Sequence, residues 1–278
     1  MKRFLLLTSL LTATAVSCTQ EAPPPVDGGR LVVEGWIDSG GAPVVLVTTP
    51  VAAREQEQRV AGLVSHIVAW ADVRVIDEQG TEVQLTGRPD DRYIPPYIYT
   101  TDHLRGVPGR AYELRIRSGN RFVRGYTRIP APAALESLTV TPGFHSDTLM
   151  AVTAHFTPPP EGIYYRFFTR VEGKDSTWCP STLSGTTIAG NSVSILRGWS
   201  ARSLTWHQPL FRPGETVHVK YCTVEEPVYR FWNSFDEMVN LTSQPVVTSI
   251  HSLASTLEGA YGYWAGYGVS TGEVTIDP

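Results

Sequence analysis

The sequence predicts an all-β protein made of two β-sandwich domains of the immunoglobulin or fibronectin type, the second carrying one amphipathic helix. Apolar and polar residues alternate over short runs, which is the pattern of half-buried strands. Turn sequences containing glycine, serine and asparagine separate these runs at short intervals, as in sandwich proteins. The 24 glycines and 21 prolines among 278 residues also suit a turn-rich β protein better than a helical one.

The first sandwich is predicted to comprise residues 30–131. Apolar strands are expected at 31–38 and 44–48. The clearest hairpin follows later, where Tyr112, Leu114 and Ile116 alternate with charged residues before a Ser-Gly-Asn turn. Such alternation predicts that one face of the hairpin is buried and the other is exposed.

A stiff Pro-Ala-Pro segment at 130–132 marks the predicted boundary with the second sandwich, residues 132–278. Three apolar stripes with a period of two residues predict strands at 150–156, 165–171 and 217–221. Each stripe places its apolar side chains on one side of the strand, as a sandwich core requires.

One segment breaks the β pattern and predicts a helix over residues 227–240. Its apolar residues recur at helical spacing: Val228, Phe231, Trp232, Phe235, Met238 and Val239. Pro227 suits the first turn, and the acidic residues before it favour the positive end of the helix dipole. The apolar face would pack on the second sandwich or bind a partner.

The N-terminus predicts a lipoprotein signal peptide at residues 1–17. Two basic residues precede an apolar run that is too short to span a bilayer, and small residues lead directly to Cys18. This order is that of a lipobox, in which the cysteine is acylated and attaches the protein to a membrane. Residues 18–29 would then be the lipidated N-terminus and a proline-rich tether. An ordinary signal peptide followed by a chance cysteine is the alternative.

Two further cysteines remain, Cys179 and Cys222. An envelope location permits disulfides, so the two are predicted to form one. The alternative is a pair of buried free thiols.

The sequence gives no catalytic constellation, metal site or cofactor motif. The seven histidines are scattered without metal-ligand spacing, and no Gly-x-Ser-x-Gly, Ser-x-x-Lys or phosphate-binding loop occurs. The protein is therefore expected to be non-enzymatic and to need no cofactor. A net charge of −4, with no recognisable base-stacking module, argues against nucleic acid as a partner.

Two groups of residues are candidate ligand or partner surfaces. The first is a C-terminal aromatic run containing Tyr261, Tyr263, Trp264 and Tyr267. It would form a platform for a sugar or a protein, or complete the sandwich core. The second is a cluster of arginines on the predicted hairpin, namely Arg115, Arg117, Arg121, Arg124 and Arg128. They would meet an anionic partner or form an ordinary solvated face.

Four short motifs together resemble a known family. They are Val-Glu-Gly-Trp-Ile at 33–37, Tyr-Glu-Leu at 112–114, Tyr-Arg-Phe-Trp at 229–232 and the glycine- and aromatic-rich run at 255–267. The combination is similar to the Bacteroidota outer-membrane lipoprotein family with domain of unknown function 4249. The resemblance would cover almost the whole mature chain. It implies an outer-membrane lipoprotein, often associated with TonB-dependent transporters, and brings no catalytic residues.

The sequence thus favours a lipid-anchored envelope protein that binds or assists an outer-membrane transporter, on either face of that membrane. Two other functions stay open. A carbohydrate-binding or carbohydrate-active surface protein would need a cleft near the aromatic run, with two carboxylates if it is an enzyme. An adhesin-like spacer would need no pocket at all.

Overall fold

The structure is a computed structural model, and it describes residues 29–50, 60–143, 146, 148–181, 191–198, 209–242 and 253–277. Within these ranges the protein is mainly β, which confirms the predicted fold class. The predicted signal peptide, Cys18 and most of the predicted tether lie outside the described residues.

Sixteen strands, one 3-10 helix and one α-helix are found in the described part of the chain. The N-terminal elements are β1 (Leu31–Asp38), β2 (Val44–Thr48), the 3-10 helix (Val60–His66), β3 (Asp72–Asp77), β4 (Glu82–Gln84), β5 (Thr86–Pro89), β6 (Tyr97–Thr100), β7 (Ala111–Ser118) and β8 (Arg121–Arg128). The C-terminal elements are β9 (Leu135–Pro142), β10 (Met150–Phe156), β11 (Tyr164–Val171), β12 (Cys179–Pro180), β13 (Ser192–Ile195), β14 (Thr216–Val224), α1 (Glu226–Thr242), β15 (Leu257–Glu258) and β16 (Ala260–Thr275).

The described strands form three sheets. The large sheet has eight strands in the order β12-β11-β14-β16-β1-β2-β6-β5. A five-stranded sheet, β15-β8-β7-β3-β4, packs on one half of it, and a three-stranded sheet, β13-β10-β9, packs on the other half. The two sandwiches therefore share the large sheet as a common layer.

Strand β16 joins the two halves. Its first eight residues pair in parallel with β1, from Leu31 opposite Ala260 to Asp38 opposite Tyr267. Its last eight pair antiparallel with β14, from Gly268 opposite Thr223 to Thr275 opposite Thr216. The division into two domains between residues 131 and 132 stays a prediction. Strand β16 follows that boundary in sequence, yet it pairs with β1 and supplies Trp264 to the first core.

Each sandwich has its own hydrophobic core. The first buries residues from both of its sheets together with Trp264 of β16, including Val33, Val45, Val75, Leu114 and Ile116. The second buries the predicted stripes of β10, β11 and β14, including Val152, Phe156, Phe167, Val219 and Tyr221. The strands predicted by alternation thus present the expected faces to the core.

The helix α1 confirms the predicted helix at 227–240. It lies on the face of the large sheet opposite the second core, where Val228, Phe231 and Trp232 pack against Tyr263 and Tyr267. The indole nitrogen of Trp232 donates a hydrogen bond to the Tyr267 hydroxyl at 2.9 Å. The helix face is therefore part of the core, and a partner-binding role for it is wrong. In the described part of the chain, no helix is long and apolar enough to cross a membrane.

The predicted disulfide is absent, because Cys179 and Cys222 are both buried free thiols. Cys179 lies opposite Thr169 of β11, whereas Cys222 lies opposite Arg166 of the same strand. Directly paired residues share a sheet face, and positions three apart on one strand point to opposite faces. The two side chains therefore project from opposite sides of the large sheet and cannot form a bond in this fold.

The parallel pairing of β1 and β16 depends on Gly262. This residue has a φ of +108°, and a Cβ there would overlap the carbonyl oxygen of Val33 on the neighbouring strand. Substitution to alanine would thus impose both backbone strain and a clash with the main chain.

We expect Gly262→Ala to lower the free energy of unfolding by about 3 kcal/mol or more, measured by urea denaturation. The matched control is Gly80→Ala, because Gly80 also has a positive φ, +83°, but has open space around its Cβ position. The control should lose only about 1 kcal/mol, the strain of the left-handed backbone alone. Equal losses in the two variants would contradict a role for close strand approach.

Candidate functional site

The C-terminal aromatic run is mostly core. Tyr263, Trp264 and Tyr267 are at most 7% exposed, whereas Tyr261 is 41% exposed. Trp264 donates its indole N–H to the carbonyl of Tyr112 at 3.1 Å, and burial raises the pKa of Tyr263 and Tyr267 well above the ordinary range. These three rings are therefore no ligand platform, which corrects their assignment to a surface. Of the four, Tyr261 alone can contact a partner.

Four of the five predicted arginines, Arg115, Arg117, Arg124 and Arg128, share an outer sheet face, whereas Arg121 lies at the hairpin turn opposite Ser118, on the side of Val123. On the five-stranded sheet, Arg74, Arg115 and Arg124 lie directly opposite one another on β3, β7 and β8. The core residues of these strands point the other way, so this row faces solvent. The alternation of the sequence was sufficient to locate it.

The arginines are ion-paired. Glu113 accepts two hydrogen bonds from Arg115, at 2.7 and 2.8 Å, and a third from Nε of Arg124. Arg117 contacts Asp72 at 3.3 Å, and Arg128 contacts Glu78 at 3.6 Å. This face is therefore not an open anion-binding surface.

Glu113 is the centre of this network. Its partial burial alone would raise its pKa, but hydrogen bonds and charge from Arg115 and Arg124 outweigh that effect and lower the pKa to about 2. The carboxylate therefore stays ionised across the physiological range and holds both guanidinium groups in place.

Two aromatic rings lie beside the arginines. Phe122 and Tyr126 are 56% and 55% exposed, opposite Arg117 and Glu113 respectively on β7. The Arg124 guanidinium lies 4.8 Å from the centre of the Tyr126 ring. We call the surface formed by Arg74, Glu113, Arg115, Phe122, Arg124 and Tyr126 the arginine–aromatic face.

A second polar cluster is buried where β1 and β14 flank β16. The Lys220 ammonium lies 2.8 and 2.7 Å from the two carboxylate oxygens of Asp38, and its side chain is 4% exposed. The rings of Phe168, Trp178 and Tyr267 surround the same ammonium within 6.0 Å. Burial acts to lower the pKa of Lys220, but the charge of Asp38 raises it. The lysine therefore remains charged and hydrogen-bonded to Asp38.

Another buried cation ties α1 to the large sheet. Arg166 of β11 pairs bidentately with Asp236 of the helix, and its guanidinium lies 5.0 Å from the Trp232 ring. The Arg166 Nε has no hydrogen-bond partner. A buried charged pair between a strand and a helix fixes their relative position rather than performing chemistry.

Two further observations on the described residues concern nucleophiles and metal ligands. Burial raises the pKa of the Cys222 thiol to about 12, so this thiol is a poor nucleophile at neutral pH. No group of three metal-ligating side chains occurs in the part of the chain that the structure describes. A shallow groove of about 330 Å³ lies between the turns at 172–174 and 212–216, next to the Lys174–Glu215 ion pair.

The family model called Domain of unknown function (DUF4249) matches residues 19–273. The chain belongs to the DUF4249 family. This confirms the domain of unknown function expected from the four sequence motifs, whereas the bacterial phylum and the lipid attachment stay predictions. No curated protein matches this DUF4249 chain.

Sequence reasoning did not find the buried ion pairs of this DUF4249 protein. A signal was nevertheless present: Lys220 interrupts the apolar run of β14, and Arg166 stands between aromatic residues in β11. A long cation in the middle of a buried strand requires a counter-charge. Its partners, Asp38 and Asp236, are remote in sequence and could not be chosen without the register.

In this DUF4249 protein, Asp38→Asn is expected to lower the free energy of unfolding by about 3–5 kcal/mol, because it leaves the buried Lys220 ammonium unpaired. The double variant Asp38→Asn, Lys220→Met should lose less than the single variant, since no buried charge remains. Arg230→Gln is the control, because the Arg230–Glu226 pair is exposed and its loss should cost about 0.5 kcal/mol or less. Chemical denaturation measures all three. A double variant with a lower free energy of unfolding than Asp38→Asn would contradict this account.

Glu113→Gln should lower the free energy of unfolding by only about 1 kcal/mol at pH 7, because solvent reaches Arg115 and Arg124 and screens their charges. The folded pKa of Glu113 is depressed from its ordinary 4.5 to about 2, so its contribution is present above pH 4.5 and is lost as the pH falls towards 2. The difference in free energy of unfolding between the two proteins should therefore disappear near pH 2. A difference that stays constant from pH 7 to pH 2 would show that the charge is not responsible.

Proposed function

We propose that the chain is a lipid-anchored cell-envelope protein that serves as a non-catalytic binding or accessory subunit of an outer-membrane, TonB-dependent transporter in a member of the Bacteroidota. Three observations support it: the lipobox-like order before Cys18, membership of the DUF4249 family, and the arginine–aromatic face. The last of these carries the proposal for a protein partner.

Acylation of Cys18 would account for membrane attachment. Each buried acyl CH₂ group contributes about 0.8 kcal/mol, so several acyl chains hold a folded domain at a bilayer durably. The proline-rich residues after Cys18 would link the β-sandwich to the lipid. The protein body then needs no membrane span of its own.

The arginine–aromatic face has the composition of a protein interface. Tyrosine, phenylalanine and arginine are enriched at interfaces, and aromatic rings flanked by arginine are common hot spots. Here Phe122 and Tyr126 are more than half exposed on a rigid sheet, and Arg115 and Arg124 beside them both donate hydrogen bonds to the Glu113 carboxylate. Such a surface can be covered by a partner without leaving either guanidinium group unpaired.

Co-purification from detergent-solubilised membranes tests the proposal. We expect the wild-type chain to retain a TonB-dependent transporter, and the double variant Phe122→Ser, Tyr126→Ser to retain about tenfold less, as for loss of an interface hot spot. Val107→Ser is the matched control, because Val107 is 39% exposed but lies outside this face. Mass spectrometry of the processed N-terminus, run in parallel, should show acylated Cys18.

Recovery of the wild-type protein without a transporter would contradict the partnership. If the double variant retains as much transporter as the wild type, the arginine–aromatic face is not the surface that binds it. An unmodified residue 18 would contradict the lipid anchor, independently of the other two results.

A further inference from the structure

Several elements meet at the end of the molecule where β1 begins. Arg30 directly precedes this strand, and Tyr261 lies opposite Val32 on β16. The 3-10 helix and the loop after it reach the same end, because Thr48 at the end of β2 bridges Ile67. The hairpin turn at 118–121 is there too, since Arg117 lies opposite Asp72, the first residue of β3. We call this surface, formed by Arg30, Val64, Trp70, residues 118–121 and Tyr261, the tether end.

Trp70 is the most exposed large apolar residue of the described chain, with 93% of its surface accessible. Its backbone is nevertheless held firmly. Tyr97 and Tyr99 donate their hydroxyl hydrogens to the carbonyls of Ala69 and Val68, at 3.1 and 2.6 Å, and the N–H of Ala71 donates to the Tyr99 hydroxyl at 2.9 Å. The fold thus presents an indole ring to the exterior on a fixed loop, which is costly in water unless something covers it.

The rest of the tether end continues this character. Val64 is 51% exposed and Tyr261 is 41% exposed. The Arg30 guanidinium lies 5.4 Å from the centre of the Tyr261 ring. Arg117, whose side chain is 70% exposed, and Arg121 flank the hairpin turn. Apolar and aromatic side chains therefore project from the 3-10 helix, the loop after it and β16, beside Arg30, Arg121 and Arg117, the last of which also contacts Asp72.

The N-terminal segment that precedes β1 indicates what covers the tether end. Residues 1–28 precede the tether end directly, and a chain from residue 18 to residue 30 can span at most about 40 Å whatever its conformation. A bilayer that holds Cys18 is therefore always close to this end. Tryptophan and tyrosine prefer the headgroup region of bilayers, and arginine is attracted to anionic lipids.

We propose that the tether end rests on the surface of an anionic bilayer, with Trp70 inserted at headgroup depth. This inference rests on the proposed lipid anchor at Cys18. It assigns the molecule an orientation: β1 and β16 point away from the membrane. The arginine–aromatic face, on the side of the five-stranded sheet, then stays accessible to a partner in the same membrane.

Quenching of tryptophan fluorescence by brominated lipids tests the insertion. The acylated full chain is reconstituted into vesicles of phosphatidylcholine and phosphatidylglycerol with brominated acyl chains. We expect clear quenching in the wild type and a quenched component about threefold smaller in Trp70→Phe, because the other indoles in the described part of the chain are less exposed than that of Trp70. An unquenched wild type, or unchanged quenching in Trp70→Phe, would overturn the inference.

A second measurement separates this inference from the anchor itself. The processed chain carrying Cys18→Ser has no acyl group, so its sedimentation with the same vesicles reports only the tether end. Trp70→Ser in this background should weaken binding about tenfold, through loss of a large apolar contact. Val107→Ser, at the opposite end, should change binding less than twofold, which is within ordinary surface effects.

Equal binding by the Trp70→Ser and Val107→Ser proteins would overturn the membrane contact, even if Cys18 is acylated. Loss of transporter co-purification in Trp70→Ser, with vesicle binding unchanged, would overturn it in favour of a protein partner at this end. An unmodified residue 18 together with Trp70-dependent vesicle binding would refute the anchor and support the tether end.

Discussion

The parallel pairing of the first and last strands is the constraint on which the rest of the structure depends. Strand β16 bonds to β1 along one half and to β14 along the other, so the same strand belongs to two sandwiches. It supplies Trp264 to the first core and Tyr263 and Tyr267 to the cluster beneath α1. A slip of one residue would move Trp264 out of the first core and turn Tyr263 and Tyr267 away from α1, so the register is strongly determined.

Buried charges reinforce that register. Lys220 reaches over the Tyr267 ring to Asp38, and thereby connects the strands on either side of β16. Arg166 connects the large sheet to α1 through Asp236. Buried pairs of this kind add little net stability, but they penalise any alternative arrangement in which one charge loses its partner. The polar groups of the interior therefore specify the packing, while the exposed polar groups of the outer sheet remain for contacts with other molecules.

Local patterns were sufficient for the elements whose environment is local. The hairpin of β7 and β8 was predictable because alternation marks one buried face, and α1 was predictable because its apolar residues follow a helical period. Arg115, Arg117, Arg124 and Arg128 were correctly grouped on one face for the same reason. The bond between Glu113 and Arg115, two residues apart on the same strand, could have been recognised from the alternation alone.

Long-range features were not predictable from the sequence. The β1–β16 pairing joins opposite ends of the chain, and no local signal identifies it. The disulfide prediction failed because only the register decides that Cys179 and Cys222 point to opposite sides of a sheet. The aromatic run was ambiguous because a strand covered on both faces buries consecutive residues such as Tyr263 and Trp264. No sequence pattern predicted the exposure of Trp70, because that exposure depends on a loop held by hydrogen bonds from Tyr97 and Tyr99.

The union of β1 with β16 also has a consequence for biosynthesis. The first core lacks its buried indole until residue 264 has left the ribosome, more than 200 residues after β1. Contacts between such remote segments form slowly, so the first sandwich is disfavoured from folding before β16 has been made. For the export proposed above, the polypeptide must stay unfolded until its translocation is complete. This topology delays folding of the first sandwich until β16 has been synthesised. Until then one edge of β1 lacks its pairing strand, and such an unpaired edge is prone to aggregate unless a chaperone covers it.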